Sequence, residues 1–364
     1  MNILREWYEH YISDPQVVIL GVALVVVSVV ILTFGQMLAP VLASIVIAYL
    51  LDGAVEKTHQ LGAPHISAVT LVFILFMSFL VFALLWLVPR LSYQVTQLVR
   101  ELPNIIAMGQ DALLQLPQKY PSLFTEAQVS DLITAIRAEI TAMSQHVLSL
   151  SLPAVFGLIS LIVYSILVPV LVFFFLKDKT RILAWFNKSL PKQRRLVDEV
   201  AHDVNVQVAN YVRGKVWEIF IVGLVSFTTF TLMGLNYALL LATMVGLSVI
   251  IPYVGAAVVT VPVAIIAWFQ WGWSPELGWL LFAYGILQAL DGYLLVPLLF
   301  SEVVDLHPVA IIIAILVFGG IWGFWGVFFA IPLATLVQAV LNAWPEKEAR
   351  SDNAAAEPGP SPTV

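Results

Sequence analysis

Two stretches constrain this chain more than any other feature: Leu235 to Trp271, 37 residues, and Leu306 to Ala343, 38 residues, contain no Asp, Glu, Lys or Arg. Apolar runs of that length cannot be hidden in a water-soluble fold, and a crossing helix asks for only about 20 residues. Shorter blocks repeat the pattern at Val17–Phe34, Met37–Leu51, Ile66–Pro89, Leu152–Leu176, Phe220–Leu235 and Leu277–Phe300. The whole chain of 364 residues is 60% hydrophobic and 11% charged, whereas about a quarter of an ordinary soluble domain is charged. A soluble fold is excluded. The expected class is an all-α polytopic membrane protein with about six full transmembrane spans plus two helical hairpins, or eight transmembrane segments if each hairpin block is counted as one.

The two long blocks are the hairpin candidates, because each is too long for one untilted helix and is interrupted near its middle. The first breaks at Ile251-Pro252-Tyr253-Val254-Gly255, the second at Gly319-Gly320-Ile321-Trp322-Gly323-Phe324-Trp325-Gly326. Each break fits either a two-limbed hairpin or a kink in one tilted helix. Bare backbone at a hairpin tip survives at membrane depth only when packed in protein or facing a wet cavity. Pro252, Gly255, Gly319, Gly320, Gly323 and Gly326 are therefore the candidate substrate-binding positions, against close helix packing by small residues as the plainer explanation.

Charge sets the orientation. Nine of the 17 Lys and Arg lie between Lys177 and Lys215, which predicts that this loop is cytoplasmic. Glu6, Glu9 and Asp14 precede the first block, so it reads as a retained helix and not as a signal peptide. Counting spans places residues 90–151 outside and both termini in the cytoplasm. The expected organisation is three N-terminal transmembrane helices in 1–89 and an extracytoplasmic amphipathic helix pair in 90–151. A fourth span over 152–176 and a basic cytoplasmic helical segment over 177–215 follow. A transport region over 216–344 then carries hairpins at 235–271 and 306–343, and a disordered cytoplasmic tail closes the chain over 345–364.

In the outer segment, Leu91, Val95, Leu98, Leu102 and Ile105 recur at spacings of three and four, as do Ile133, Ile136, Ile140, Met143, Val147 and Leu150. Such seams pair helices within one chain or between chains. Lys192 to Lys215 reads as one amphipathic helix along the membrane surface, its cations meeting lipid head groups. No comparable basic surface exists elsewhere, so nucleic acid is not an expected partner.

Catalytic chemistry finds little support. There is no Walker A sequence, no paired metal-ligand spacing and no cysteine, and an enzyme, a cofactor and a bound metal are not expected. From Val216 to Pro345 there is no Lys or Arg, against Glu218, Glu276, Asp291, Glu302 and Asp305. A buried anion in this region would have only helix N-termini to offset its desolvation, which favours a neutral or cation-coupled solute. Asp291 lies fourteen residues into its block, next to Gln288 and Gly292. It is either an interfacial cap where the span ends near Leu290 or, with Gln288, the candidate coupling group of a pathway.

Three ordered motifs carry a resemblance: Phe173-Phe174-Phe175-Leu176-Lys177-Asp178, then Tyr211-Val212-Arg213-Gly214-Lys215, then Ile251-Pro252-Tyr253-Val254-Gly255-Ala256. With Leu295-Val296-Pro297, Leu306-His307-Pro308 and the glycine-rich stretch from Gly319 to Gly326, the chain resembles the autoinducer-2 exporter (AI-2E) family, and its permease branch in particular. The likeness runs to Trp344 and marks Lys177, Asp178, Arg213, Gly214, Pro297, His307 and Pro308 as family motif positions. It implies a bacterial inner-membrane secondary transporter, with autoinducer-2 export or sodium (lithium)/proton antiport as associated activities, and a homo-oligomer of about five chains. The partners implied are membrane lipid and a small polar solute. An oligomeric scaffold or a channel is the alternative of a different class.

Overall fold

The computed structural model describes residues 15–119, 151–189, 195–252, 254–300 and 306–343, with scattered positions between 121 and 138. Every regular element among them is helical. In order they are α1 (Pro15–Gln60), α2 (His65–Leu114), α3 (Leu116–Lys119), α4 (Ser151–Lys177), α5 (Lys179–Ser189), α6 (Arg195–Leu232), α7 (Ala238–Ser248), α8 (Val254–Trp271) and α9 (Pro275–Leu290). A π-turn (Asp291–Leu295), α10 (Val296–Phe300), α11 (Pro308–Phe328) and α12 (Ala330–Ala343) complete the series. Among the described residues, six helical segments are long and apolar enough to cross a bilayer.

The helices differ from the expected elements in three places. Gly35 and Gln36 do not interrupt the chain between the first two apolar blocks, and α1 is one helix. A mid-helix Gly costs only about 1 kcal/mol relative to Ala, and Gln is a good helix former, so the pair is no stop signal. The crossing count that placed the N-terminus thereby loses a span. Likewise the third span does not end at Pro89. α2 continues for 50 residues through Pro89 and Pro103 and carries the first outer seam on the same helix. Finally, the basic amphipathic helix and the fifth span are one continuous α6. Of the second outer seam, Ile133 is buried, while Ile136 and positions 139–150 lie outside the described residues, as do the acids ahead of α1 and the tail.

The chain divides into two compact units, the larger formed by Pro40–Leu183 and Val212–Leu299 and the smaller by Met1–Ala39, Ala184–Tyr211 and Phe300–Val364. In the larger unit a turn at residues 61–64 reverses α1 into α2. Val55 of α1, Ala68, Val69 and Val72 of α2, and Val172 and Leu176 of α4 share one core, with Phe73 and Phe173 edge to face at 5.3 Å. Lys179 closes this end by pairing with Asp52 at 2.8 Å.

A second core in that unit joins α6 to α9 through Phe230, Leu241, Val245, Val263, Leu280 and Tyr284. Here α7 and α8 pack against each other. α7 has 11 residues, about 17 Å of rise, and cannot cross a hydrocarbon layer of about 30 Å. The first long block is thus a hairpin. Its base is tied by Gln270, which accepts from the Asn236 amide at 2.7 Å and donates to the Gly234 carbonyl at 2.8 Å. Gln94 of α2 accepts from the Leu240 amide at 2.8 Å, satisfying a donor in the first turn of α7.

The smaller unit holds the second long block. Inside α11, Gly323 has φ 61° and ψ −136°, outside any helical region. A Cβ on Gly326 would fall on the Phe318 carbonyl and lie 3.0 Å from the Gly319 nitrogen. In a continuous helix, residues eight apart are about 12 Å apart. The chain therefore reverses at Gly323, and this block is also a hairpin, extended by α12, which packs on α11.

Candidate functional site

The tip of the first hairpin is a break in the helix made from a few backbone bonds. The Ile251 amide donates to the Ser248 carbonyl at 3.0 Å and the Gly255 amide to the Ile251 carbonyl at 2.9 Å. Pro252 sits half-buried between the limbs. Gly255 is buried where α8 starts, and a Cβ there would lie 2.6 Å from the Ser248 carbonyl carbon. Only glycine lets the two limbs meet this closely.

The remaining polarity around this tip comes from α6. Lys215 and Glu218, one helical turn apart, are 3% and 2% exposed and form an ion pair of 2.6 Å. The Lys215 ammonium also donates to the Val249 carbonyl at 3.0 Å. A backbone carbonyl at the end of α7 thus receives a buried cation. The sequence ends a membrane-surface helix at Lys215 and leaves Glu218 beyond it. The structure corrects both, because α6 does not stop between them and the hairpin tip closes over that turn.

Asp291 is the third charge. The helix does not end at Leu290: it continues through the π-turn into α10, so Asp291 lies inside the 26-residue apolar span Pro275–Phe300. Insertion of a π-turn re-aims the side chains at that point and is frequent at functional positions. The Asp291 carboxylate lies within Coulombic reach of both Lys215 and Glu218. Its Oδ1 is buried without a hydrogen-bond partner among the described residues, as is Oε1 of Gln288. The Gln288 amide donates to the Tyr284 hydroxyl at 2.9 Å, and Tyr284 also hydrogen-bonds with Thr260 of α8.

The second tip, in the smaller unit, is built from apolar and aromatic residues. Gly323 makes the reversal and Gly326 the close approach. A Cβ on Gly319 would meet Val327 at 2.7 Å, whereas Gly320 faces open space. Trp322 lies against Gly35 of α1, 2.8 Å from where a Cβ would stand. Phe324 and Trp325 pack edge to face at 5.5 Å. His307 caps α11, its Nδ1 accepting from the Val309 amide at 3.3 Å, with Pro308 in the first turn.

The other motif positions fall at helix junctions. Lys177 is exposed at the end of α4, with its ammonium 6.0 Å from the Phe173 ring centre. Asp178 joins α4 to α5, its amide donating to Phe174 and its carbonyl accepting from Ile182. Arg213 lays its guanidinium 3.8 Å from where a Gly53 Cβ would be; Gly214 is buried and Pro297 exposed. Asp52 and Gly53 are adjacent, so the Lys179 ion pair and the Arg213 contact fasten α1 to α5 and α6 at one end of the larger unit.

Helices long and apolar enough to cross a bilayer, two helical hairpins and a buried ion pair at one hairpin tip point to a membrane transport protein. The AI-2E family transporter pattern matches residues 19–346. The chain is 43% identical to "Putative permease PerM" of Escherichia coli K12 over 347 residues, which cover 95% of this chain and 98% of that protein. It is 29% identical to "Putative transport protein YueF" of Bacillus subtilis, covering 80% of each chain, and 26% identical to "Putative transport protein YrrI" of the same organism, covering 83% and 85%. The chain belongs to the AI-2E transporter family.

Proposed function

We propose that this chain is a secondary transporter of the bacterial inner membrane that moves a small polar solute, autoinducer-2 or a related signalling molecule, by alternating access. The observation that carries the reading is the first hairpin tip, where a broken helix meets a buried ion pair. Charges inside spans are expensive and concentrate along transport pathways, and unwound backbone at broken helices supplies ligand contacts in other carriers. Pro252 and Gly255 at this tip contact solute, and Gly319, Gly320, Gly323 and Gly326 serve the second tip in the same way. Lys215 cancels Glu218, which leaves Asp291 as one net negative charge and favours a neutral or cation-coupled solute over an anion.

In this reading the basic segment faces the cytoplasm, the α1–α2 turn lies on that side, residues beyond Pro89 lie outside, and the C-terminus returns inside. The chains assemble as a homo-oligomer, with five as the number the family resemblance implies. Sodium (lithium)/proton antiport is the second reading, and the unpartnered Asp291 and Gln288 oxygens favour it.

Proteoliposome flux separates these possibilities. Wild type, Gly255→Leu and Gly323→Leu are compared for autoinducer-2 and for sodium under an imposed proton gradient. Loss of autoinducer-2 flux in either folded variant supports the hairpin-tip reading, and wild-type flux in both overturns it. Sodium flux alone selects the antiporter, and single-channel conductance in a planar bilayer selects a channel.

A further inference from the structure

A groove of about 400 Å³ opens in the larger unit along α6, α9 and the π-turn, with Val222, Val225, Thr229, Ile286, Leu287 and Asp291 in its wall. Its volume lies within the range of small-molecule sites. Thr229 and Asp291 are its polar side chains. The Thr229 hydroxyl already donates to the Val225 carbonyl at 2.9 Å, so Asp291 keeps unmet hydrogen-bonding capacity, and its Oδ1 has no partner among the described residues. The two charges within Coulombic reach of it, Lys215 and Glu218, pair with each other at 2.6 Å.

One uncompensated carboxylate at the edge of an apolar groove selects its ligand by elimination. A hydrocarbon would fill the walls and leave the carboxylate unpaired, at the cost of a buried polar group without a partner. An inorganic cation would satisfy the carboxylate but leave the apolar walls uncovered and find few further oxygens. An anion is repelled. We propose that this groove binds an organic cation whose charge sits on an apolar or aromatic body, with Asp291 as its counter-ion and the α6 and α9 side chains around its hydrocarbon. This goes beyond the transport reading and does not depend on it, because occupancy can be measured without flux.

The probe is tritiated tetraphenylphosphonium, whose permanent charge removes protonation of the ligand as a variable. Tetraphenylborate has the same shape and the opposite charge. The full chain is placed in nanodiscs of dioleoylphosphatidylcholine, which exclude lipids with a primary ammonium, and binding to empty nanodiscs is subtracted. Saturable binding of tetraphenylphosphonium is expected, weakened at least tenfold by Asp291→Asn and not competed by tetraphenylborate. Equal binding by Asp291→Asn, or equal competition by tetraphenylborate, overturns the proposal. Val225 and Ile286 are 46% and 45% exposed, so Val225→Trp and Ile286→Trp fill the groove without disturbing a core. Should Asp291→Asn fail to yield folded protein, undiminished binding by both tryptophan variants overturns the assignment and loss of binding in both supports it.

Discussion

Replacing Gly255 with alanine tests the closeness of the first hairpin directly. The added methyl would overlap the Ser248 carbonyl, 2.6 Å from its carbon and 3.2 Å from its Cα, whereas ordinary contacts begin near 3.4 Å. The limbs must part by at least about 0.8 Å to clear that carbon, and by more to clear its oxygen, and overpacking of this kind costs about 1–3 kcal/mol. Parting also strains the bond from the Ile251 amide to that same carbonyl, a contribution of about 1 kcal/mol. Alanine's helix propensity returns up to about 1 kcal/mol. A net loss of about 2 kcal/mol raises the open population of the tip about 30-fold. Hydrogen exchange read by mass spectrometry on the chain in nanodiscs follows the amides of α7 and the tip, which should exchange about 30-fold faster. Gly285→Ala is the control, since a Cβ there meets nothing within 4 Å. Exchange at the tip within threefold of wild type in Gly255→Ala, or equal acceleration in Gly285→Ala, refutes the reasoning.

Glu218→Leu leaves Lys215 buried without its counter-ion and should cost about 3–5 kcal/mol, seen as loss of monodisperse protein in size-exclusion chromatography. Adding Lys215→Met removes the second charge and should recover most of that loss, and additive damage would refute the pairing. Gly323→Ala forces a side chain into φ 61°, ψ −136°, at a cost of about 1–3 kcal/mol, whereas Gly320→Ala, with open space around it, should leave thermal stability unchanged. Asp291→Asn keeps size while removing a titratable group, so pH-driven accumulation should vanish while exchange of bound solute persists; an unaltered pH dependence would free Asp291 from any coupling role. Because the chain has no cysteine, single-Cys labelling is clean. Leu61→Cys and Leu183→Cys should react from the cytoplasmic side and Asn104→Cys from the outside, and labelling of all three from one side would overturn the topology.

Some of this molecule is legible residue by residue. The breaks at Pro252–Gly255 and Gly319–Gly326 mark both hairpin tips, because a chain reversal in an apolar environment needs small or imino residues at that point. Other features mislead. Gly35–Gln36 looks like a stop and is helix interior, since apolar neighbours on both sides outweigh a weak local preference. Lys215 reads as the end of a surface helix with Glu218 beyond it, although a Lys and a Glu at i and i+3 just ahead of an apolar run are the signal that could have identified an internal pair.

Membrane residence, all-helical class and the presence of two broken blocks were determined by sequence alone, because the transfer free energy of an apolar run is a property of that run and needs no partner. Tertiary structure decided which breaks reverse the chain, as Gly255 against Ser248 and Gly326 against Phe318 require backbones far apart in a straight helix to touch. It decided also that the Val249 carbonyl receives the Lys215 ammonium and that Asp291 lies near that pair. Those contacts join residues 34 to 76 positions apart on separate helices, and the energy of a buried charge depends on what surrounds it in space, which no local pattern encodes.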